Sequence, residues 1–161
     1  HTRSAWLKGL SPKENREVPP LVRETAFRLK KDFPDTVMLI NGQIASLDEA
    51  KALVDAGMDG VMVGRAAYQN PWMLAGVDEV LYGVEHDVTR LECVHRMTAY
   101  LEENYRDDVH AIRAVARHVN GLAQGLPGAR RWRQVLSDPA AIKDRGAGLI
   151  QYAWEEAFGE G

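Results

Sequence analysis

Two short apolar runs with a well-marked helix between them constrain this chain more than any other feature. The runs are Thr36–Ile40 and Val61–Val63. Ser46-Leu-Asp-Glu49 matches a capping box, in which the serine hydroxyl accepts a hydrogen bond from the Glu49 amide and the Glu49 side chain reaches back. Gly57 fits the left-handed residue that ends many helices. The pattern predicts one βαβ unit with a right-handed crossover and parallel strands buried on both faces.

Each run is followed by a glycine-containing turn of a type that binds phosphate. Asn41-Gly42-Gln43 follows the first run, and Gly64-Arg65 follows the second, with Gly64 lying 23 residues after Asn41. Glycine lets backbone amides approach a phosphate without a Cβ in the way, and barrel enzymes commonly bind phosphate at the loops after their last two strands. Arg65 offers a charged contact. The alternative is that these glycines only make the tight turns that any α/β protein needs.

The remaining patterns divide the chain. Residues 1–20 have the composition of a loop, and residues 21–33 fit a helix that Pro34 ends. After Pro71 the apolar spacing predicts helices only, which are Val88–Tyr105 with Asp87 as its N-cap, Val109–Leu122, and Leu149–Phe158. We therefore expect an α/β section over residues 1–76 and an all-α domain over residues 77–161.

The formal net charge of −3 hides an uneven distribution. Residues 1–33 carry eight Lys/Arg and four Asp/Glu. Residues 77–108 carry three Lys/Arg and nine Asp/Glu, and residues 109–145 carry seven Lys/Arg and two Asp/Glu. Two basic segments on either side of an acidic one indicate a polyanionic partner that contacts two parts of the fold. Solvated helix faces are the alternative explanation of the same charges.

The only cysteine, Cys93, excludes an internal disulfide and indicates a reducing compartment, so we expect a cytoplasmic protein. No apolar run is long enough to span a membrane. The histidines do not have the spacing of metal ligands, and no metal site is predicted. The chain begins at His1 rather than at a methionine, in residues typical of a loop that leaves a strand. We expect it to be the C-terminal part of a longer protein.

Four segments together resemble one protein family. They are His1–Arg16, Ile40–Ile44, Gly60–Pro71 and Asn120–Arg133. They are similar to the tRNA-dihydrouridine synthases, and within that family to the A subfamily, which acts on the D-loop of tRNA. The resemblance implies the C-terminal part of an FMN-binding (β/α)8 TIM barrel followed by a helical tRNA-binding domain. It also implies reduction of the C5=C6 bond of uridine 20 or 20a, with NADPH as the reductant and FMN as the carrier.

The resemblance also assigns roles to individual residues. Six positions match the family's FMN-binding residues: His1, Asn41, Gly42, Gln43, Gly64 and Arg65. Gln43 departs from the family, which usually has a second glycine there. Four positions match tRNA contacts: Lys13 and Arg16 in the first loop, and Arg130 and Arg133 in the helical domain. These four lie in the two basic segments that the charge count identifies independently.

No residue of this chain matches the family's catalytic cysteine, which donates a proton to the uridine. Cys93 lies in a helical stripe, where a cysteine behaves as a small apolar side chain. We therefore expect no turnover from this chain by itself, and no stable flavin binding either, because an incomplete barrel exposes a strand edge and part of its core. We expect the protein to be a monomer that binds tRNA. Two other hypotheses remain open, a barrel oxidoreductase that binds FMN and acts on a small molecule, and an RNA-binding module without catalysis.

Overall fold

Most of the described chain is helical, and its sheet structure is confined to two pairs of two-residue strands. The computed structural model describes residues 2–3, 8–85 and 87–159, with side chains from residue 8 onward. These residues form two units, of which the first ends at Ala67 and the second begins at Tyr68. No helix in this part of the chain is long and apolar enough to cross a membrane.

The first unit begins with an antiparallel pair. Strand β1 (Thr2–Arg3) pairs with β2 (Leu21–Val22), and a 3-10 turn at Glu14–Arg16 lies in the loop between them. Helix α1 (Glu24–Asp32) follows. The helix predicted over residues 21–33 is therefore shorter than expected, because its first two residues hydrogen-bond to β1 as a strand.

The predicted βαβ unit is present, with shorter strands than the apolar runs indicated. Strands β3 (Leu39–Ile40) and β4 (Gly60–Val61) pair in parallel, and helix α2 (Leu47–Asp55) lies between them in the chain. The predicted serine cap of α2 is confirmed, since the Glu49 amide donates to Ser46 Oγ at 3.1 Å, while the Glu49 side chain reaches back to the Ala45 amide at 2.9 Å. Gly57 has a φ of +107°, as its place after the helix predicted.

One side of β3 is buried and the other is exposed. Ile40 is fully buried and packs with residues of α2 and with apolar side chains of α1, whereas the Leu39 side chain is 66% exposed. The prediction that this strand is buried on both faces is wrong for the described residues, because helices cover only one face of the pair. Val37 and Met62 are exposed as well.

The second unit is built from helices. Helix α3 (Arg65–Gln69) leads into it. The further α-helices are α4 (Val77–Tyr82), α5 (Arg90–Asn104), α6 (Val109–His118), α7 (Ala129–Ser137), α8 (Pro139–Arg145) and α9 (Leu149–Phe158). Short 3-10 turns occur at Pro71–Gly76, Asn120–Ala123 and Gly146–Gly148. The bounds of α9 are those predicted, and no strand follows β4 in the described residues.

Two helix ends differ from the sequence prediction. The N-cap of α5 is Thr89, whose hydroxyl accepts from the Glu92 amide at 3.1 Å, and not Asp87. Thr89 and Glu92 have the same spacing as the cap of α2, so the signal was in the sequence. Helix α6 ends at His118, and the chain tightens there into a 3-10 turn instead of continuing to Leu122.

Trp132 of α7 is the largest fully buried side chain of the second unit. Its ring meets that of Trp154 edge to face, with centroids 5.8 Å apart, and its Nε1 donates to the Asn120 carbonyl at 3.2 Å. Residues after Pro71 also pack within this unit, since the Arg90 guanidinium lies 4.3 Å from the centroid of the Trp72 ring. The rotation of α7 about its axis is thus fixed by its tryptophan.

Candidate functional site

The two predicted phosphate-binding turns leave the same edge of the parallel pair. The Met62 amide donates to the Ile40 carbonyl at 2.8 Å, so the chain is still paired where both strands end. Asn41-Gly42-Gln43 begins directly after β3, and Met62-Val63-Gly64 directly after β4. The carboxyl ends of parallel strands are where α/β proteins bind ligands. We call these two segments the cradle turns.

The backbone of the first cradle turn is left-handed at two successive residues. Gly42 has a φ of +104° and Gln43 a φ of +52°. Gln43 is the only residue other than glycine with positive φ in the described chain. A glycine would occupy this conformation without strain, and an L residue there costs about 1–2 kcal/mol. The strain explains why a second glycine suits this position.

Arg23 holds the first cradle turn in place. Its Nη2 donates to the Gly42 carbonyl and to Glu49 Oε1, both at 2.7 Å. The other oxygen of Glu49 accepts from the Ala45 amide at 2.9 Å. That backbone hydrogen bond lowers the pKa of Glu49 below its ordinary value, with Arg23 adding to the effect. No local sequence pattern indicates this role of Arg23, because the residues that it joins are far apart in the chain.

The second cradle turn is open at Gly64. A Cβ at this position would lie 3.7 Å from Met62 Sδ, an ordinary contact, and Gly64 does not have a positive φ. Neither backbone conformation nor packing within the described residues therefore requires a glycine. A glycine here leaves room for an approaching group, and the residues of the two turns fit an anion held by backbone amides.

Arg65 lies immediately after this turn and has a weakly held partner. Its Nη1 is 3.5 Å from Glu17 Oε1, and both side chains are about half exposed. Such surface ion pairs contribute little to stability, so the guanidinium is available to a more strongly charged anion. The contact also places the loop around Glu17 beside the second cradle turn.

That loop carries the first pair of predicted tRNA contacts. Lys13 precedes the 3-10 turn and Arg16 ends it, and both side chains are exposed. Ser11 and Glu14 stabilise the turn through reciprocal hydrogen bonds between side chain and backbone, at 2.7 and 3.3 Å. His1, the remaining predicted flavin contact, lies outside the described residues.

The second pair of predicted contacts lies on α7. Arg130 and Arg133 are exposed and have no ion-pair partner among the described residues. Arg131, between them, pairs with Glu156 of α9, while Trp132 is buried. Residues three apart share a helix face. The structure therefore presents Arg130 and Arg133 to solvent on one side of the helix.

Cys93 and the described histidines are not arranged as a metal or nucleophilic site. Cys93 is half-buried on α5 and lines an apolar cavity of about 590 Å³ together with Trp72 and Met97. Across the parts of the chain that are described, no group of three or more His, Cys, Asp or Glu side chains is arranged to hold a metal ion. His118 instead contacts Tyr68, whose hydroxyl lies 2.9 Å from its Nδ1.

Comparison with known proteins identifies relatives along almost the whole chain. Residues 1–157 match the family model described as dihydrouridine synthase (Dus). The chain is 44% identical to the tRNA-dihydrouridine(20/20a) synthase of Vibrio cholerae serotype O1 over 154 residues, or 95% of this chain and 46% of that protein. It is 47% identical to the protein of the same name from Escherichia coli K12, over 95% of this chain and 44% of that protein. The chain thus spans about half the length of these curated relatives.

Proposed function

The chain belongs to the dihydrouridine synthase family, and from that premise we propose that its protein reduces a D-loop uridine of tRNA to dihydrouridine. Relatives named for positions 20 and 20a make these the proposed target uridines. We propose FMN as the flavin and NADPH as the reductant. The observation that carries the proposal is the pair of cradle turns at one edge of parallel strands, with Arg65 beside them.

The proposed architecture is a (β/α)8 barrel section followed by a tRNA-binding helical domain, over residues 1–76 and 77–161. The parallel pair with its intervening helix supports the barrel section, since this is the repeating unit of such barrels. The exposed side chains of Leu39 in β3 and of Val37 just before it also support a barrel section, because a complete barrel would cover such apolar side chains on both faces of the strand.

In the proposed site the chain binds and orients the cofactor. The amides of Asn41, Gly42, Gln43 and Gly64 would hold the phosphate of FMN, and Arg65 would add a charged contact. When bound, the flavin supplies the hydride for the C5=C6 bond. We assign proton transfer to no residue of this chain, because Cys93 is half-buried on α5 and lines the apolar cavity of the helical unit. His1 remains a proposed flavin contact.

The proposed tRNA-binding residues are cationic side chains at the surface. Lys13 and Arg16 lie on the loop that approaches the second cradle turn, and Arg130 and Arg133 lie on α7. Arginine and lysine bind the phosphate backbone and so position an RNA without reading its sequence. We further propose that the protein is a cytoplasmic monomer.

Deleting the gene that encodes this chain tests the proposed reaction. Mass spectrometry of purified tRNA should show loss of dihydrouridine at positions 20 and 20a, and its return when the gene is restored. Dihydrouridine elsewhere in the D-loop is the internal control. Unchanged dihydrouridine at both positions in the deletion strain would contradict the proposal.

Flavin retention tests the cradle separately, in protein purified from the complete gene. Arg65→Ala should release FMN on dialysis, whereas Arg28→Ala, an exposed arginine of α1, should retain it. Glu17→Gln should retain it as well, because it removes the carboxylate that competes for Arg65. Full retention by Arg65→Ala would contradict the cradle assignment. If the purified protein binds flavin but not tRNA, the result would favour a small-molecule oxidoreductase. If it binds tRNA but not flavin, the result would favour an RNA-binding module.

A further inference from the structure

A polar cleft lies in the second unit beside the end of α6 and the start of α7. Its volume is about 340 Å³, near the lower end of the range for small-ligand sites. Its lining includes the polar and aromatic side chains of Tyr68, Arg117, His118, Asn120, Gln124 and Arg133. We call it the α6–α7 cleft. Apart from Arg133, none of these residues was predicted to bind anything.

The charge of the α6–α7 cleft is of one sign. Arg117 and Arg133 both line it, no Asp or Glu does, and neither guanidinium has an ion-pair partner among the described residues. Another surface cavity, of about 520 Å³, is lined by both signs: Glu102, Asp107, Asp144, Arg106, Lys143 and Arg145. Only the first cavity is therefore electrostatically suited to an anion.

An aromatic pair forms part of the cleft wall. The Tyr68 hydroxyl and His118 Nδ1 lie 2.9 Å apart, and the two rings meet edge to face with centroids separated by 5.8 Å. Tyr68 is nevertheless 61% exposed. The hydrogen bond fixes the ring while leaving aromatic surface open, and such surface stacks on nucleobases of any identity.

Hydrogen bonds and close backbone packing hold the floor of the cleft. Asn120 Nδ2 donates to the Arg117 carbonyl at 3.2 Å, and the Asn120 carbonyl accepts from the buried Trp132 at the same distance. A Cβ added to Gly121 would lie 2.4 Å from the Gln69 carbonyl oxygen, so the two backbones are in close contact there. Fixed walls reduce the conformational entropy that a ligand must remove on binding.

We propose that the α6–α7 cleft binds one nucleotide unit of an RNA strand. Arg117 and Arg133 contact its phosphate, the ring of Tyr68 stacks on its base, and the Gln124 amide lies within the same cleft for a hydrogen bond to base or ribose. This inference rests on the proposed function, which supplies an RNA partner. It extends the binding surface beyond the arginines that the family resemblance assigns.

The first test measures binding of an unmodified tRNA transcript to protein purified from the complete gene, across a range of salt concentrations. Arg117→Ala should lower the slope of log affinity against log salt by about 0.7, the value for one phosphate of a single strand. Arg113→Ala is the matched control, because Arg113 is exposed on the same helix one turn earlier and does not line the cleft. Equal effects of the two substitutions would show a diffuse basic surface and overturn the cleft.

Tyr68 provides an independent comparison. Tyr68→Ala should weaken tRNA binding roughly tenfold, as loss of one stacked base does. Tyr68→Phe keeps the ring and removes only the hydrogen bond to His118, so it should retain most of the affinity. Equal affinities of Tyr68→Ala and the wild-type chain would rule out stacking.

A titration with uridine 5′-monophosphate, followed by NMR, separates the cleft from the proposed function. Shifts of the Tyr68 and His118 ring resonances that Arg117→Ala abolishes would support the cleft even if the chain failed to bind tRNA. Failure to bind tRNA would count against the proposed function alone. Absence of these shifts, together with a salt slope that Arg117→Ala leaves unchanged, would overturn the cleft proposal.

Discussion

Helix α7 allows the proposed tRNA surface to be tested with closely matched substitutions. Arg130 and Arg133 are exposed on one side of the helix without ion-pair partners among the described residues, whereas Arg131 is paired with Glu156. Arg130→Ala and Arg133→Ala each remove a cation available to a phosphate. Arg131→Ala removes the same charge from the same helix, but this charge is already compensated.

The size of the effect follows from counterion release. Each phosphate that a cation neutralises adds about 0.7 to 0.9 to the salt slope, so over a fourfold increase in salt one contact accounts for a roughly threefold loss of affinity. Raising the salt from about 50 to 200 mM should therefore weaken tRNA binding by the variant with both Arg130 and Arg133 replaced by alanine roughly sevenfold to twelvefold less than it weakens binding by the wild-type chain. Trp132 keeps its core position in these variants, so the fold should be retained.

Fluorescence anisotropy with labelled tRNA, at several salt concentrations, measures these slopes directly. Circular dichroism of each variant checks that the helical unit is intact. The wild-type chain and Arg131→Ala should give the same slope. The slopes of the single variants should be lower by about 0.7 to 0.9, and that of the double variant by about 1.4 to 1.8. Similar slopes for Arg131→Ala and Arg130→Ala would refute the reasoning, because the ion pair would then make no difference.

Three further predictions concern the scaffold. Gly57→Ala should lower the free energy of unfolding by about 1–2 kcal/mol, because φ is +107° there, whereas Gly148→Ala should change the urea midpoint little. Gly121→Ala should cost about 1–3 kcal/mol by crowding and should also weaken tRNA binding, which separates it from Gly57→Ala. The hydrogen bond from Lys30 lowers the pKa of Asp59 in the folded protein. The interaction therefore adds to the free energy of unfolding above the ordinary aspartate pKa, and this stabilisation is lost as the pH falls through the lowered pKa. Asp59→Asn should make unfolding less sensitive to acid, and equal acid sensitivity of the two proteins would contradict this.

Local sequence signals predicted the elements whose ends are determined locally. The Ser46 cap, the left-handed Gly57 and the full extent of α9 all follow from short-range patterns. Helix α8 was missed although Asp138 caps it, accepting from the Ala140 amide at 3.0 Å, with proline at its first position. An N-cap aspartate followed by proline at the first helical position is a recognised helix start, so the sequence does contain a signal for α8.

Features that depend on contacts between residues far apart in the chain could not be predicted from local sequence patterns. The link from Arg23 to the first cradle turn spans 19 residues, and the Tyr68–His118 pair spans 50. Neither leaves a periodic or capping pattern. The resemblance supplied the cradle residues and the paired arginines of α7. It did not indicate which arginine of α7 is already paired, because that depends on the position of Glu156 on α9.

The segment Arg130-Arg131-Trp132-Arg133 places its outer two arginines in solvent on one side of the helix, with Arg133 at the α6–α7 cleft. Arg131 pairs with Glu156 of α9, and Trp132 lies in the buried core. One helical residue corresponds to a rotation of about 100°. Deleting one residue ahead of this segment would therefore rotate all four side chains together, moving a cation toward the core and the tryptophan toward water. The spacing of this segment is consequently under tighter physical constraint than the identity of any one of its arginines.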